Sequence, residues 1–204
     1  LQFSLAETQL TVASLFADGA VLQQNQENPV WGTATPGSRV AVQFAGQEVV
    51  GTADEIGRWH VRLPKLAASG ESQTLRITAS RDGETASVDL RNILVGEVWL
   101  CSGQSNMAMA VSRSHDAVNE IASGNLPQVR VFTVERNAAE QPEQDCTGTW
   151  EVSSPETADK FSAVAWFFGR EIHRETNVPV GLIVAAWSGS ATTVAPPYER
   201  ARYS

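Results

Sequence analysis

Residues 95–109 read Val-Gly-Glu-Val-Trp-Leu-Cys-Ser-Gly-Gln-Ser-Asn-Met-Ala-Met. An apolar strand pattern leads directly into Gly103-Gln104-Ser105-Asn106, and a helical pattern follows over Met107–Ser112. This order predicts that the Ser105 hydroxyl lies where the chain leaves a sheet and begins a helix. The first backbone N–H groups of a helix have no partners within it, so they can stabilise an oxyanion beside the serine. The segment therefore predicts a serine hydrolase.

The sequence before this segment has the pattern of an antiparallel β-sandwich. Short apolar or alternating runs are separated by turn signals such as Asp18-Gly19 and Pro36-Gly37. The predicted strands are Leu10–Phe16, Val21–Gln23, Pro29–Gly32, Arg39–Phe44, Glu48–Ala53, Trp59–Leu63, Thr74–Ala79 and Ala86–Leu90. We place the boundary of this domain near Arg91-Asn92, which gives a β-sandwich domain over residues 1–92.

Residues 93–204 alternate between strand and helix patterns, which predicts an α/β domain with a parallel sheet. Ile93–Ser102, Val129–Val134 and Val178–Trp187 are the predicted strands, and the first is apolar enough for burial on both faces. The predicted fold class is thus α/β, with a β-sandwich followed by a parallel sheet.

Two helices are predicted between these strands. One covers His115–Ser123, and a longer one begins at Ser154-Pro155, with the serine as N-cap and the proline in the first helical position. Helical spacing places four apolar side chains on one face of the longer helix, which should pack on the sheet. These are Phe161, Ala165, Phe168 and Ile172.

The third strand has neither a charge nor a proline between residues 180 and 187, unlike strands at a sheet edge. Two interpretations follow. Further strands pack beside it from a separate chain or from polypeptide that has been cut away, or the strand order places it inside the sheet. A three-stranded sheet is small for this class of fold, which favours the first.

A serine nucleophile needs a base, which is normally a histidine. The three histidines are His60, His115 and His173, and each is best interpreted as a surface side chain. The sequence therefore contains a nucleophile without a convincing base.

Donors to an oxyanion are better represented. Ser105 and Gly189 both follow predicted parallel strands, whose carboxyl ends meet at one crevice, so their N–H groups are the candidate donors. The alternative for Gly189 is that it simply ends a strand. Gln104 and Asn106 flank the serine and are the candidate substrate-binding residues.

Composition limits the partners of the chain. A formal net charge of −8 disfavours nucleic acid and anionic membranes, and no run approaches the roughly 20 apolar residues that span a bilayer.

The scattered cysteines and histidines lack ligand spacing, so we predict no metal and no cofactor. Cys101 and Cys146 allow one disulfide, but we favour two free thiols, with Cys101 in the core. The chain lacks an initiator Met, as in a secreted or periplasmic protein after leader removal, or in a chain that was simply shortened.

Several segments together resemble the sialate O-acetylesterase family of the SGNH hydrolase superfamily, over nearly the whole chain. The strand-turn block Gly96–Met107 resembles the first block of that family. The other similar segments are Leu15–Gln23, Pro29–Gly32, Ser154–Thr157, Ala163–Gly169 and Pro179–Ile183. The chain has Ala108 where family members commonly have Glu, and Ser188 within a stretch where they have Trp-Gly-Gly-Thr.

The resemblance implies removal of acetyl groups from sugar hydroxyls, with Ser105 as nucleophile and the N–H groups of Ser105 and Gly189 as oxyanion donors. It also implies an asparagine donor on a later strand and an Asp-x-x-His segment, both beyond Ser204. Residues 93–204 would then be the first part of a three-layer α/β/α SGNH domain, and the remainder of the enzyme would be a partner chain or segment. The implied substrate is an O-acetylated carbohydrate, either a sialic acid or a plant polysaccharide.

A second hypothesis is a non-catalytic sugar-binding or scaffold protein. Trp31 and Trp59 lie in the predicted β region, where aromatic rings can stack on sugars. Core packing is the more common role for such residues and is the interpretation that we favour for both.

Overall fold

The computed structural model describes residues 8–138, 141 and 143–188. Within these residues the chain is a mixed α/β structure that consists mostly of strands. The strands are β1 Leu10–Val12, β2 Val21–Gln23, β3 Asn28–Ala34, β4 Arg39–Phe44, β5 Gln47–Thr52, β6 Arg58–Leu63, β7 Ser69–Arg81, β8 Glu84–Gly103, β9 Leu126–Val134, β10 Gly148–Ser153 and β11 Val180–Ala186. The α-helices are α1 Ala117–Ala122 and α2 Ala163–Thr176, and short 3-10 helices cover Val111–Arg113 and Ala158–Lys160. None of these helices has the length and apolar character needed to cross a membrane.

The described strands form two sheets. One has the order β1-β3-β6, and the other is a mixed sheet of the order β10-β9-β11-β8-β7-β4-β5, with β2 paired to β8 outside that order. Each of the eight strands predicted before residue 92 overlaps an observed strand, because turn residues separate the alternating runs clearly.

Strand β8 connects the antiparallel and parallel parts of the larger sheet. Its first half pairs antiparallel with β7, and Glu97–Gly103 pair parallel with β11. Asn92 lies between these halves with a φ of 58°, a conformation that Asn tolerates better than most residues. The strand is thus continuous through Arg91-Asn92, where the sequence predicts a domain boundary, and the division into residues 1–92 and 93–204 stays a prediction.

Two clusters of buried side chains hold the chain together. In the first, residues of β3 and β6 such as Val30 and Trp59 pack against residues of β4 and β7 such as Val42 and Ile77. In the second, α2 packs on β9, β11 and the end of β8, and Trp166 is its largest fully buried side chain. Apolar burial of this kind is the main source of stability in both clusters.

Helix α2 begins at Ala163 and not at Pro155, so the predicted helix start is wrong. Ser154 and Thr157 form a turn in which the Ser154 carbonyl accepts hydrogen bonds from the N–H groups of Thr157 and Ala158. The true N-cap is Ser162, whose side-chain oxygen accepts from the Ala165 N–H at 3.2 Å. A cap is defined by a local hydrogen bond, and both serines precede apolar sequence that suits a helix.

The predicted inner face of the long helix is correct only in part. Phe161 and Ala165 are buried, but the Phe168 side chain is 39% exposed and lies edge-on to Trp99 with ring centroids 5.0 Å apart. Trp166 and Gly169 are buried instead. The buried stripe is therefore rotated toward residues that the spacing argument omitted.

Strand β11 lies inside the sheet, between β8 and β9, and pairs parallel with both. This placement explains its apolar sequence through strand order. The favoured interpretation, that β11 needs further strands beside it from elsewhere, is therefore wrong for this strand.

Candidate functional site

Ser105 lies on a single helical turn at the carboxyl end of β8. The Ala108 N–H donates a hydrogen bond to the Gln104 carbonyl at 2.9 Å, which closes one turn around residues 105–107. No longer helix follows: residues 107–112 continue through turns into the 3-10 helix Val111–Arg113, so the predicted helix over Met107–Ser112 is wrong. The first N–H groups of even a single helical turn lack partners within it, so they can still donate hydrogen bonds to an anion.

The turn is anchored at both ends. Before it, β8 is held by β11, and the Trp187 N–H donates to the Gly103 carbonyl at 3.1 Å. After it, the chain bonds to the residues that begin α2. The Ala163 N–H donates to Met109 and the Val111 N–H to Phe161, at 2.8 and 2.9 Å. These contacts fix the turn between the end of β8 and the start of α2. Trp99, Leu100 and Ser102 are exposed, so the predicted burial of Ile93–Ser102 on both faces is wrong for the end of this strand.

Side-chain packing closes the space beneath the turn. Met107 and Met109 are partly buried against the second core, and the Ser162 hydroxyl lies 3.6 Å from the Met107 sulfur. An added Cβ at Gly103 would lie 3.0 Å from the Met107 Cβ, so the chain folds back tightly here. The anchoring role of Ser162 was not predicted, although the position of this serine before an apolar run could have indicated it.

The predicted polar residues are accessible on this turn. Gln104, Ser105 and Asn106 are all exposed, so a ligand can reach each of them. The other proposed oxyanion donor, Gly189, lies outside the described residues. The described part of β11 ends beside β8, since Ala186 is in register with Gly103. This agrees with the expectation that the two strand ends meet at one edge of the sheet.

Within the described residues no histidine is hydrogen-bonded to Ser105. His60 lies on β6 and is exposed, and His115 is exposed in the turn before α1. His173 Nδ1 lies 2.7 Å from the Val178 carbonyl near the end of α2. Ser162, which contacts Met107 beside the Ser105 turn, lies at the other end of this helix. The eleven residues from Ser162 to His173 correspond to a rise of about 16 Å at 1.5 Å per residue. The structure therefore agrees that these histidines are not poised as a base for Ser105.

Two further predictions concern aromatic and sulfur side chains. The Trp59 ring is only 2% exposed and belongs to the first core, so core packing is confirmed and stacking on a sugar is excluded for it. Trp31 is half-buried and lies edge-on to Phe16, with centroids 4.8 Å apart.

Cys101 and Cys146 are both free, and Cys101 is buried as predicted. Burial raises the pKa of the Cys101 thiol to about 11, which suits a packing role.

Comparison with known proteins decides the family. The profile of the carbohydrate esterase family described as sialic acid-specific acetylesterase matches residues 95–202. The chain belongs to this family. The match begins in β8 and includes the Ser105 turn, so it contains Gly96–Met107 and the later segments of the resemblance, whereas Leu15–Gln23 and Pro29–Gly32 lie before it.

Curated relatives and one solved structure agree with this assignment. The sialate O-acetylesterases of Rattus norvegicus and Homo sapiens are each 33% identical, over 89% and 87% of this chain. A carbohydrate acetylesterase from Xanthomonas citri is 40% identical, with a TM-score of 0.83 over 89% of this chain. The matched regions span 36% and 37% of the two curated relatives and 41% of the bacterial structure. The chain thus covers little more than a third of the curated relatives' length.

Proposed function

We propose that this chain carries the nucleophile of a carbohydrate O-acetylesterase, and that the nucleophile is Ser105. The observation that supports this most is the exposure of Ser105 on an anchored turn at the carboxyl end of β8, inside the region that matches the esterase family. Reacting groups of open parallel sheets gather at this edge.

In the proposed reaction the Ser105 Oγ attacks the carbonyl carbon of an acetyl ester on a sugar. A base accepts the hydroxyl proton as the new C–O bond forms, and the carbonyl oxygen becomes an oxyanion that the N–H groups of Ser105 and Gly189 stabilise. The bond to the sugar oxygen then breaks, and that oxygen takes the proton. Water hydrolyses the acetyl-serine, which releases acetate and restores the hydroxyl.

The base is proposed to be a histidine of an Asp-x-x-His segment in the part of the enzyme that this chain does not span. The placement of His60, His115 and His173 supports this, since none of them is bonded to Ser105. Gln104 and Asn106 flank the nucleophile on the exposed turn and are proposed to bind the sugar.

The proposal includes a finer description of the fold. The packing of β3 and β6 against β4 and β7 supports an N-terminal β-sandwich, and the parallel strands β8, β11 and β9 under α2 support the first part of an SGNH domain. An acetylated carbohydrate as partner and a secreted or periplasmic location remain predictions.

A chimera tests the assignment of Ser105. In this chimera, residues 1–204 replace the matched part of the Xanthomonas citri acetylesterase, so that the remaining part supplies whatever the chain lacks. A fluorophosphonate should label Ser105 in the chimera and should label the isolated chain about 10²–10⁴-fold more slowly, which is the range of a general base. Equal labelling of both proteins would contradict a base that lies outside this chain.

Matched serine variants provide the control. Ser105→Ala should abolish acetate release by the chimera, and Ser102→Ala should not, although Ser102 is an exposed serine only three residues earlier. Assays on O-acetylated sialic acid and on acetylated plant polysaccharide separate the two substrate classes. Turnover by the Ser105→Ala chimera would refute the assignment.

A further inference from the structure

The outer face of β6 carries a nitrogen-bearing side chain at every second position. Arg58, His60 and Arg62 are exposed, whereas the residues between them, Trp59 and Val61, are buried in the first core. Successive side chains of a strand lie on opposite faces, so the two guanidinium groups and the imidazole share one face. Arg58 and Arg62 are four residues apart, which corresponds to about 13 Å along the strand.

Neither guanidinium group is neutralised within the part of the chain that the structure describes. There, no ion pair joins Arg58 or Arg62 to a carboxylate. In the turn before β6, Glu55 is exposed, and the Asp54 carboxylate accepts from two backbone N–H groups at 3.0 and 2.8 Å. By contrast, the exposed Arg76 of the other sheet is paired with a carboxylate. Since arginine stays charged at any ordinary pH, this face presents positive charge to solvent.

The neighbouring strand β3 adds an aromatic ring, a proline and a hydroxyl to the same face. Residues directly opposite each other in an antiparallel pair share a face, and here the opposite pairs are Thr33 and Arg58, Trp31 and His60, and Pro29 and Arg62. We call these six residues the β3–β6 face. Trp31 is half-buried, so part of its ring remains accessible. A tryptophan offers a large apolar surface together with one N–H donor, which suits the mixed surface of a sugar ring.

Protection of a sheet edge does not fully account for these charges. Strand β6 is last in the order β1-β3-β6, and charged side chains on such a strand prevent pairing with further strands. A charge of either sign serves that purpose. The chain has 23 acidic and 15 basic residues, yet Arg58–Leu63 contains no acidic residue. Charge of one sign on this face of an acidic chain therefore points to an anionic ligand.

We propose that the β3–β6 face binds the carboxylates of a sialylated glycan, as a surface separate from the Ser105 turn. A net charge of −8 repels dense polyanions, whereas a sialic acid contributes a single carboxylate to each sugar. A guanidinium binds a carboxylate through two parallel hydrogen bonds, and the spacing of Arg58 and Arg62 suits two sialic acids of one glycan. The choice of sialic acid rests on the proposed function, because the matching family is described as sialic acid-specific.

Titration of the chain with disialyllactose, followed by NMR, tests the proposal. This probe carries two sialic acids and no O-acetyl group, so its binding requires no turnover at Ser105. The indole N–H of Trp31 and the backbone amides of β6 should shift in a saturable way, and lactose, which lacks the carboxylates, should not shift them. Absence of these shifts, or shifts confined to the Ser105 turn, would overturn the proposal. Equal or tighter binding of trigalacturonate would overturn the choice of sialic acid in favour of a uronic acid polymer.

Two double variants separate the β3–β6 face from the general effect of charge. Arg58→Gln with Arg62→Gln should weaken the binding of disialyllactose about tenfold, which is the combined effect of two exposed ion pairs. Arg39→Gln with Arg76→Gln is the matched control, because it removes the same two charges from the other sheet, and it should weaken binding less than about twofold. Thermal melting checks that both variants fold. Equal weakening by the two variants would overturn the proposal.

Binding and turnover are measured separately, so that failure of this proposal differs from failure of the esterase assignment. In the chimera, the Arg58→Gln and Arg62→Gln double variant should release acetate from a small neutral acetyl ester at an unchanged rate. A chimera that binds disialyllactose through this face but releases no acetate would refute the esterase assignment alone. A chimera that releases acetate without any binding at the β3–β6 face would refute the binding surface alone.

Discussion

Replacing Arg130 by Met should destabilise the chain strongly, because Arg130 joins three separate segments from a buried position. The residue is 4% exposed on β9. Its Nη1 donates to the Gly19 carbonyl at 2.8 Å and also to the Asn92 carbonyl, and Nη2 donates to Asn92 Oδ1 at 2.8 Å. The guanidinium therefore holds the loop before β2 against the left-handed residue of β8.

The expected magnitude follows from the acceptors that the substitution leaves behind. A hydrogen bond from a charged donor contributes about 1.5–3 kcal/mol, and a buried acceptor without a partner costs about 1–3 kcal/mol. Gly19 is buried and Asn92 is exposed, so water can replace the guanidinium at Asn92 more easily than at Gly19. Burial also lowers the pKa of Arg130 to about 10, and removal of the buried charge recovers part of that cost. The net loss should be about 2–4 kcal/mol in the free energy of unfolding.

Urea denaturation of the isolated chain measures this loss. Arg130→Lys should fall between wild type and Arg130→Met, since an ammonium keeps the charge but not the forked geometry. Arg76→Met is the matched control, because Arg76 pairs with Asp89 on the surface, where solvent screens the pair and the change should be far smaller. If Arg130→Met unfolds within about 0.5 kcal/mol of wild type, the bridging role is wrong.

Three other substitutions address single features of the fold. Ser162→Ala should lower the free energy of unfolding by about 1 kcal/mol, because the Ala165 N–H loses its acceptor, and Ser162→Gly should cost less in the same urea assay. Gly96→Ala should prevent native folding, because the added Cβ would overlap the Pro179 carbonyl; a native near-ultraviolet spectrum would contradict this. Burial raises the pKa of Cys101 from 9.0 to about 11, so its stabilising contribution is complete below pH 9 and is lost as pH rises through 11. The stability advantage of wild type over Cys101→Ala should therefore shrink between pH 8 and 10.5, and a constant difference would refute it.

Local sequence was sufficient for most strands and for the position of Ser105. Alternating runs bounded by Gly and Asp turns predicted the strands before residue 92, since both the period and the breaks are local properties. The placement of Ser105 just after an apolar strand was equally local, and the structure confirms that Ser105 follows the end of β8. The type of turn that follows was not predicted. Residues 107–112 have a helical pattern, but in the structure the Met109 carbonyl accepts a hydrogen bond from the Ala163 N–H at the start of α2 and the helix does not continue.

Helix starts and domain boundaries depended on contacts that local patterns do not contain. Ser154-Pro155 has the composition of a helix start, but its turn is fixed by bonds between Ser154, Thr157 and the Val152 carbonyl, and Ser162 becomes the cap. The period of the sequence changes near Arg91-Asn92, but β8 continues through it because the left-handed conformation of Asn92 lets both halves pair. A change of pattern therefore marked a change of partner strand and not an end of the strand.

Strand order was the property that sequence could not provide, and it changes how the exposed edge is interpreted. An apolar strand without charges suggested that β11 needed a neighbour, and the structure supplies β8 and β9 as its neighbours. Within the described residues, the end of β8 is paired with β11 on one side only, and its residues Trp99 and Leu100 are as apolar as those of β11 and yet are exposed. An apolar strand without charges suits a position between two neighbours, and here the strand with an exposed apolar end is β8, one strand away from β11. The strand concerned is the one that ends two residues before Ser105.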